Sequence, residues 1–197
     1  MIDNTIELIN NDWPAIKQAI LDNVTDWRVC IQAGGHHGTY PKYLAEMFES
    51  VYTFEADPNN YTELVKNCTE TNIISYNKAL SSHKKKLGLW RVEEGNTGQV
   101  FVVPGNDIQA TTIDSLKLGA CGLIQLDIER HELFAIMGAI ETIESFQPVI
   151  ILEGPETTNN TCNRILEQMG YDFICRVGFD SVFKHTGRTP PTTEYLS

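Results

Sequence analysis

One pattern between Arg28 and Asp57 constrains the fold of this 197-residue chain more than any other. An apolar strand, Val29–Ala33, runs directly into a turn of sequence GGHHG. A helix is predicted to begin near Pro41, because proline is favoured at the first helical position. A second apolar strand follows and ends at Glu55. The pattern predicts a βαβ unit of about 30 residues.

A βαβ unit of this kind predicts a ligand site at its glycine turn. Gly34, Gly35 and Gly38 let the backbone take unusual dihedrals and let a ligand approach closely. The helix N-terminus behind them offers unpaired N–H groups to an anion such as a carboxylate or phosphate. Glu55, about 20 residues after the first glycine, can accept hydrogen bonds from both ribose hydroxyls. The unit therefore predicts an adenosine-containing ligand, and GGxxG in place of GxGxxG makes a dinucleotide the weaker interpretation.

Strands and helices alternate along the rest of the chain. Apolar runs predict further strands, which are Val51–Phe54, Ile73–Tyr76, Gly122–Leu126 and Val149–Leu152, and a terminal pair, Tyr171–Val177 and Ser181–His185. Helical spacing predicts two helices that begin at Trp13-Pro14 and at Pro58. It predicts two more over residues 132–143 and 159–169. Nearly continuous apolar strands are typical of a sheet covered on both faces. The order predicts an α/β fold with a doubly wound, mostly parallel sheet and a C-terminal antiparallel hairpin.

We interpret residues 1–27 as an N-terminal helical lead-in and residues 28–197 as a single domain. Two strands, Leu87–Val92 and Val100–Val103, are predicted to form an insertion around residues 86–106, with a turn at residues 93–98. The insertion, the N-terminal helix and the tail after His185 are expected to shape the substrate pocket.

Composition excludes several classes of partner. The formal net charge is −11 and the pI is about 4.8, which argues against nucleic acid, since phosphate contacts need clustered Lys and Arg. No apolar run is long enough for a membrane span, and the N-terminus lacks a signal-peptide pattern. The five cysteines form no C-x-x-C pair, and no His/Cys cluster has zinc spacing. These features predict a cytoplasmic protein with reduced cysteines and no metal, and they say nothing about its oligomeric state.

Acidic residues end three of the predicted core strands, at Glu55, Asp127 and Glu153. Ligands of doubly wound sheets bind outside the carboxyl ends of the strands, so we expect these side chains to converge on one site.

The chain resembles the FkbM family of S-adenosylmethionine-dependent methyltransferases over roughly residues 28–185. The resemblance rests on six segments in order, which are VCIQAGGHHGTY, VYTFEADPNNY, ISYNKALS, TTIDSL, IQLDIERHE and PVIILE. It implies a Rossmann-like class I methyltransferase fold of seven strands with the last strand antiparallel. It also implies S-adenosylmethionine as the cofactor.

The resemblance assigns roles to individual residues. Asp127 and Glu129 match the D-x-E of the family and are implied to face the methionine end and the acceptor as catalytic residues. The residues implied to contact the cofactor are Gln32, Gly34, Gly35, His36, Gly38, Glu55, Ala56, Asn77, Ala79 and Asp127. Among them, Glu55 is implied to hold the ribose hydroxyls.

The chain departs from the family pattern at three positions. Gln32 stands where the family usually has an acidic residue, His36 where it has Asn, and Arg130 where it has Gly. Gln32 could still contact the cofactor amine through its carbonyl. Arg130 would place a bulky cation next to the acceptor site.

The chemistry favours O-methylation of a sugar or small-molecule hydroxyl. A hydroxyl is a poor nucleophile until its proton leaves, so a general base helps. Asp127 and Glu129 are the favoured bases, ahead of Glu153 and of His131, which we expect to face outward on the following helix. Two alternatives stay open, a non-catalytic module that binds S-adenosylmethionine and an NAD-binding oxidoreductase. The missing GxGxxG argues against the latter.

Overall fold

The computed structural model describes residues 5–91, 100–154 and 156–187. The described helices are α1 Thr5–Asn23, α2 Thr39–Ala45, α3 Pro58–Asn67, α4 Glu132–Met137, α5 Ile140–Phe146 and α6 Glu156–Gln168. The described strands are β1 Val29–Ala33, β2 Ser50–Phe54, β3 Ile73–Tyr76, β4 Ala79–Leu80, β5 Lys85–Arg91, β6 Val100–Thr111, β7 Leu123–Leu126, β8 Val149–Glu153, β9 Tyr171–Val177 and β10 Asp180–His185. A short 3-10 helix covers Asp114–Leu116.

Seven of these strands form one mixed sheet with the order β3-β2-β1-β7-β8-β10-β9. The first five of that order run parallel, while β10 is antiparallel to both β8 and β9. This confirms the predicted doubly wound α/β sheet with its C-terminal antiparallel hairpin. Among the described helices, none is both long and apolar enough to cross a membrane.

Alternate residues of the central strands bury opposite faces of the sheet. Ile31 and Ile124 belong to one apolar core, together with residues of α4, α5 and α6. Cys30, Leu123 and Ile151 belong to a second core, covered by α1 and α2. Burial on both faces is the reason for the nearly continuous apolar strands.

Two helix predictions need correction. The first helix does not begin at Trp13-Pro14, since Pro14 lies inside α1. Proline removes one helical hydrogen bond, and Ile16 and Ile20, both fully buried on the sheet, hold the segment in place despite that loss.

The single helix predicted over residues 132–143 is two helices, α4 and α5. A Cβ on Gly138 would lie 2.1 Å from the carbonyl oxygen of Ser81, so the chain passes too close there for a side chain. Asp114 caps the start of α5, because its Oδ1 accepts the backbone N–H of Thr142 at 2.8 Å. Both contacts come from distant parts of the chain.

The predicted insertion is part of a second sheet of order β4-β6-β5, which begins before it at Ala79. Its strand β6 continues to Thr111, well beyond the predicted end at Val103. It pairs antiparallel with β5, with an irregularity in register after Leu87. Val92 and the predicted turn at residues 93–98 lie outside the described residues, as do residues 1–4 and the tail from residue 188.

Candidate active site

A cleft opens where the carboxyl ends of β1, β2 and β7 meet the loops that follow them, the expected ligand position in such a sheet. It contains about 830 Å³ of space, part of it open to solvent. Among the residues implicated from sequence, those that line the cleft are Gly34, Gly35, His36, Glu55, Ala56, Ala79, Asp127 and Glu129. Gln32, Gly38 and Asn77 lie behind this lining.

The glycine turn is held against the end of β7. Gly34 has φ 85, and a Cβ on it would lie 1.8 Å from the carbonyl oxygen of Asp127. The backbone N–H groups of Gly34 and Gly35 both donate to the carbonyl oxygen of Phe54. The turn thus brings its backbone into contact with β7 and β2 at once, which only glycine permits at position 34. Gly38 caps the start of α2.

Gln32 is buried on β1 and both ends of its amide are used inside the protein. Its Nε2 donates to the carbonyl oxygen of Gly34 at 3.1 Å, and its Oε1 accepts the hydroxyl of Thr53. Only 1% of its surface is exposed. The side chain therefore supports the backbone of the glycine turn from inside the protein and does not line the cleft.

Glu55 stands at the end of β2 and forms part of the cleft wall. Its Oε2 accepts the backbone N–H of His36 at 2.7 Å, and its Oε1 accepts the backbone N–H of Asp57 at 2.7 Å. Burial raises the pKa of Glu55 to about 7, although these two hydrogen bonds favour the charged form. The carboxylate is therefore fixed in orientation, and each oxygen keeps a further lone pair for a ligand.

Asn77 supports the loop after Glu55. Its side-chain amide donates to the carbonyl oxygens of Glu55 at 2.9 Å and of Ala56 at 3.2 Å. Ala56 and Ala79 form small apolar surfaces in the cleft near it. Val100 and Val102 of β6 also line the cleft, so the second sheet contributes to its wall.

Asp127 and Glu129 follow β7 on the other side of the glycine turn. Burial raises the pKa of Asp127 well above its usual range, and a hydrogen bond that the protonated Asp127 donates to Glu153 raises it further. Burial followed by the negative charge of Glu153 raises the pKa of Glu129 to about 7. Glu129 has φ 50 and Arg130 has φ 72, so the chain turns sharply after the acids. Arg130 is exposed.

Asp180 is an acidic residue of this site that sequence reasoning missed. It lies opposite Glu153 in the antiparallel register of β10 and β8. Burial, then the charges of Glu153 and Asp12, raise its pKa to about 7. Its position just before the predicted terminal strand was the one available signal, since antiparallel pairing brings the start of that strand beside the end of β8.

His131 does not face outward as we expected from the sequence. It is buried just before α4 and lines the cleft, with its Nε2 3.2 Å from the hydroxyl oxygen of Ser81. Burial, with a smaller effect from the charge of Lys85, lowers its pKa to about 4. Its ring is therefore neutral near pH 7 and a weak base. In the described part of the chain, no cluster of His, Cys, Asp or Glu is arranged to bind a metal.

The strand order, the glycine turn after β1 and the acid that ends β2 define the class, which is a Rossmann-like class I methyltransferase. The family model described as the methyltransferase FkbM domain matches residues 32–173. The chain therefore belongs to the FkbM methyltransferase family, and its cofactor is S-adenosylmethionine.

Solved structures show the same fold. The FkbM methyltransferase of Methylobacillus flagellatus superimposes with a TM-score of 0.57 at 16% identity, over 81% of this chain and 43% of that one. An rRNA methylase of Streptococcus thermophilus gives a TM-score of 0.51 at 11% identity, over 94% of this chain and 98% of that one. This chain thus spans less than half the length of the M. flagellatus protein. No curated protein sequence matches it.

Proposed function

We propose that this chain transfers the methyl group of S-adenosylmethionine to a hydroxyl of a sugar or small molecule. The observation that carries the proposal is the position of Glu129, a carboxylate with a pKa of about 7 that lines the same cleft as the glycine turn. A base is most effective when its pKa lies near the working pH. Glu129 meets that condition better than His131, whose pKa is about 4.

The residues in the cleft fit the cofactor. Glu55 presents a buried carboxylate whose orientation two backbone N–H groups fix, and its remaining lone pairs suit the two ribose hydroxyls. The turn at Gly34 and Gly35 would receive the methionine end, while Ala56 and Ala79 would flank the adenine. Gln32 and Asn77 act indirectly in this proposal, since their amides hold the backbone of the turn and of the Glu55 loop.

When bound, the cofactor supplies an electrophilic methyl group, and the chain supplies position and a base. The acceptor O–H donates its proton to a carboxylate oxygen of Glu129 as the oxygen becomes a nucleophile. Asp127, beside it, orients the acceptor through hydrogen bonds. Much of the rate enhancement comes from this alignment of the reacting atoms.

Replacement of Glu129 tests the proposal. We expect Glu129→Gln to lower kcat by about 10²- to 10⁴-fold, because the acceptor loses its base. Affinity for S-adenosylhomocysteine, measured by calorimetry, should remain within about twofold, since no cofactor-binding role is assigned to Glu129. Asp127→Asn keeps a hydrogen-bond donor in place and should cost less turnover than Glu129→Gln.

The exposed Glu144→Gln is the matched control, because it removes the same charge from the far surface. Turnover of Glu129→Gln equal to that of this control would contradict the proposed base. A wild-type chain that binds S-adenosylmethionine but methylates no hydroxyl in a broad panel would support the non-catalytic alternative.

The proposal extends to the organisation and setting of the chain. Residues 28–197 act as one methyltransferase domain, with residues 1–27 as a helical lead-in, and small acceptors are favoured over nucleic acid by the net charge of −11. A cytoplasmic location is supported by the five free cysteines. A parallel assay with transfer RNA as acceptor tests the exclusion of nucleic acid.

A further inference from the structure

Three acidic side chains lie next to the cleft, on the face of the sheet that α1 and α2 cover. Asp127 follows β7, Glu153 ends β8, and Asp180 begins β10 directly opposite Glu153. Side chains alternate between the faces of a sheet. Glu153 and Asp180 therefore lie on the same face as Ile151 and Val182, which are core residues packed with α1 and α2.

Tyr40 of α2 has a hydroxyl without a described hydrogen-bond partner, and this hydroxyl lies near the three acids. The residue is 8% exposed, and its hydroxyl has no hydrogen-bond partner among the residues the structure describes. The charges of Asp180, Asp127 and Glu153 all add to the effect of burial in raising the pKa of Tyr40, so its hydroxyl lies near all three. A buried hydroxyl without a partner is costly, which points to a group that the site normally binds.

Asp180 also has a buried oxygen without a described hydrogen-bond partner. Its Oδ1 is buried and has no hydrogen-bond partner within the described part of the chain. Arg176 is the cation whose charge favours ionised Asp180, but its guanidinium donates to the carbonyl oxygens of Gly154 at 2.8 Å and Gly178 at 3.2 Å. Asp12 of α1 adds another negative charge nearby. The group thus concentrates carboxyl oxygens, and a bound cation would favour their charged forms.

A donor-rich cation matches these groups. A primary ammonium offers three N–H donors and one positive charge, whereas a hydroxyl or carboxylate ligand would leave the charge unbalanced. The edge ring contact between Tyr40 and Trp13, with centroids 5.6 Å apart, fixes the tyrosine in position. Tyr40 and Asp127 also line the cleft, so a ligand could enter both regions at once.

We propose that Tyr40, Glu153 and Asp180 form a subsite for an ammonium group of the methyl acceptor. The acceptor would then be an amino alcohol or an amino sugar, bound through its amine with a hydroxyl presented to Glu129. This inference rests on the proposed function, because it names the substrate class of the same cleft.

The test compares charged ligands with neutral ones of similar shape. Protein-observed NMR titrations with S-adenosylhomocysteine present would use ethanolamine against ethylene glycol, and glucosamine against glucose. We expect the amine of each pair to bind at least about tenfold more tightly, since a charge-assisted hydrogen bond is lost with the neutral ligand. Asp180→Asn should abolish that preference, and Glu144→Gln should keep it.

Tyr40→Phe is the second variant, should Asp180→Asn fail to fold, because it removes one oxygen and keeps the packed ring. It should weaken amine binding severalfold and leave the neutral ligands unchanged. Equal binding of charged and neutral ligands by the wild-type chain, or an absence of binding by every amine, overturns the inference. So does a preference that survives in Asp180→Asn.

Two outcomes separate this inference from the proposed function. If Asp180→Asn weakens the binding of S-adenosylhomocysteine as much as it weakens the binding of the amines, the subsite binds the ammonium group of the cofactor. The inference then fails. If the wild-type chain does not bind S-adenosylhomocysteine at all, the proposed function fails, whatever the amines do.

Discussion

Glu55 is the side chain to which the proposed function assigns the ribose of the cofactor. Its two oxygens each accept a backbone N–H at 2.7 Å, from His36 and Asp57, so the side chain that replaces it must accept at both positions. A glutamine at this position would direct N–H donors at one of these backbone donors. The side chain would then rotate away or leave a buried donor unpaired.

We expect Glu55→Gln to weaken S-adenosylhomocysteine binding by about tenfold or more, measured by calorimetry near pH 8. The pH dependence follows from the pKa of about 7, which burial raises from its usual value. In the proposed function the carboxylate form binds the ribose, so wild-type affinity should fall as the pH falls through about 7 and a proton occupies Glu55.

Glu46→Gln, on an exposed position after α2, is the matched control and should bind as the wild-type chain does. If Glu55→Gln retains full affinity, or if its affinity varies with pH as the wild-type affinity does, Glu55 does not hold the ribose.

The hairpin of β5 and β6 forms part of the cleft wall through Val100 and Val102. Arg91, at the end of β5, forms an ion pair with Asp57, and its Nε donates to Asp57 Oδ2 at 2.7 Å. The other oxygen of Asp57 caps α3, where it accepts the N–H of Asn59 at 2.7 Å. Arg91 pairs with Val100 in the strand register, so the ion pair anchors the cleft-lining end of β6 to α3.

Loss of this ion pair should lower the affinity for the cofactor more than the thermal stability of the chain. We expect Arg91→Gln to lower the affinity for S-adenosylhomocysteine by about three- to tenfold, because Val100 and Val102 are then held less firmly in the cleft wall. The melting temperature should fall only slightly, because Asp57, although buried, keeps the backbone N–H of Asn59 on its other oxygen and can still accept from the introduced amide.

Arg28→Gln provides the comparison, because Arg28 is also an exposed arginine paired with an aspartate, although its partner Asp26 is partly exposed whereas Asp57 is buried. Equal affinities of the two variants would show that the Arg91 contact does not position the hairpin. A large loss of stability in Arg91→Gln alone would give it a structural role instead.

The bounds of a helix or strand can be predicted from the sequence where a local pattern decides the structure. The strands Val29–Ala33 and Ile73–Tyr76 were predicted with their observed bounds, because an apolar run between turn residues needs no distant information. The break between α4 and α5 could not be predicted, since the contact of Gly138 with Ser81 and the cap from Asp114 join segments far apart in sequence.

For the molecule as a whole, topology decides which residues meet. The acids that end β2 and β7 converge on one cleft because parallel strands carry their carboxyl ends to the same edge. Asp180 joins them only through the antiparallel register of β10 on β8, which no local pattern encodes. The buried position of Gln32 likewise depends on its partner Thr53 in the neighbouring strand.

The net charge of −11 also acts at this scale. A negatively charged molecule attracts cations and repels polyanions. The carboxyl groups of Glu55, Asp127, Glu129 and Asp180 have raised pKa values, so they carry only part of this charge near pH 7. The charge of the whole molecule supports the proposed small acceptor over nucleic acid.

A calorimetric titration of the purified chain with S-adenosylmethionine and S-adenosylhomocysteine, with NAD as the control ligand, tests the assigned cofactor most directly. We expect the first two to bind with dissociation constants of about 10⁻⁶ M, and NAD not to bind. Binding of NAD in place of the two sulfur ligands, or binding of none of the three, would contradict that assignment.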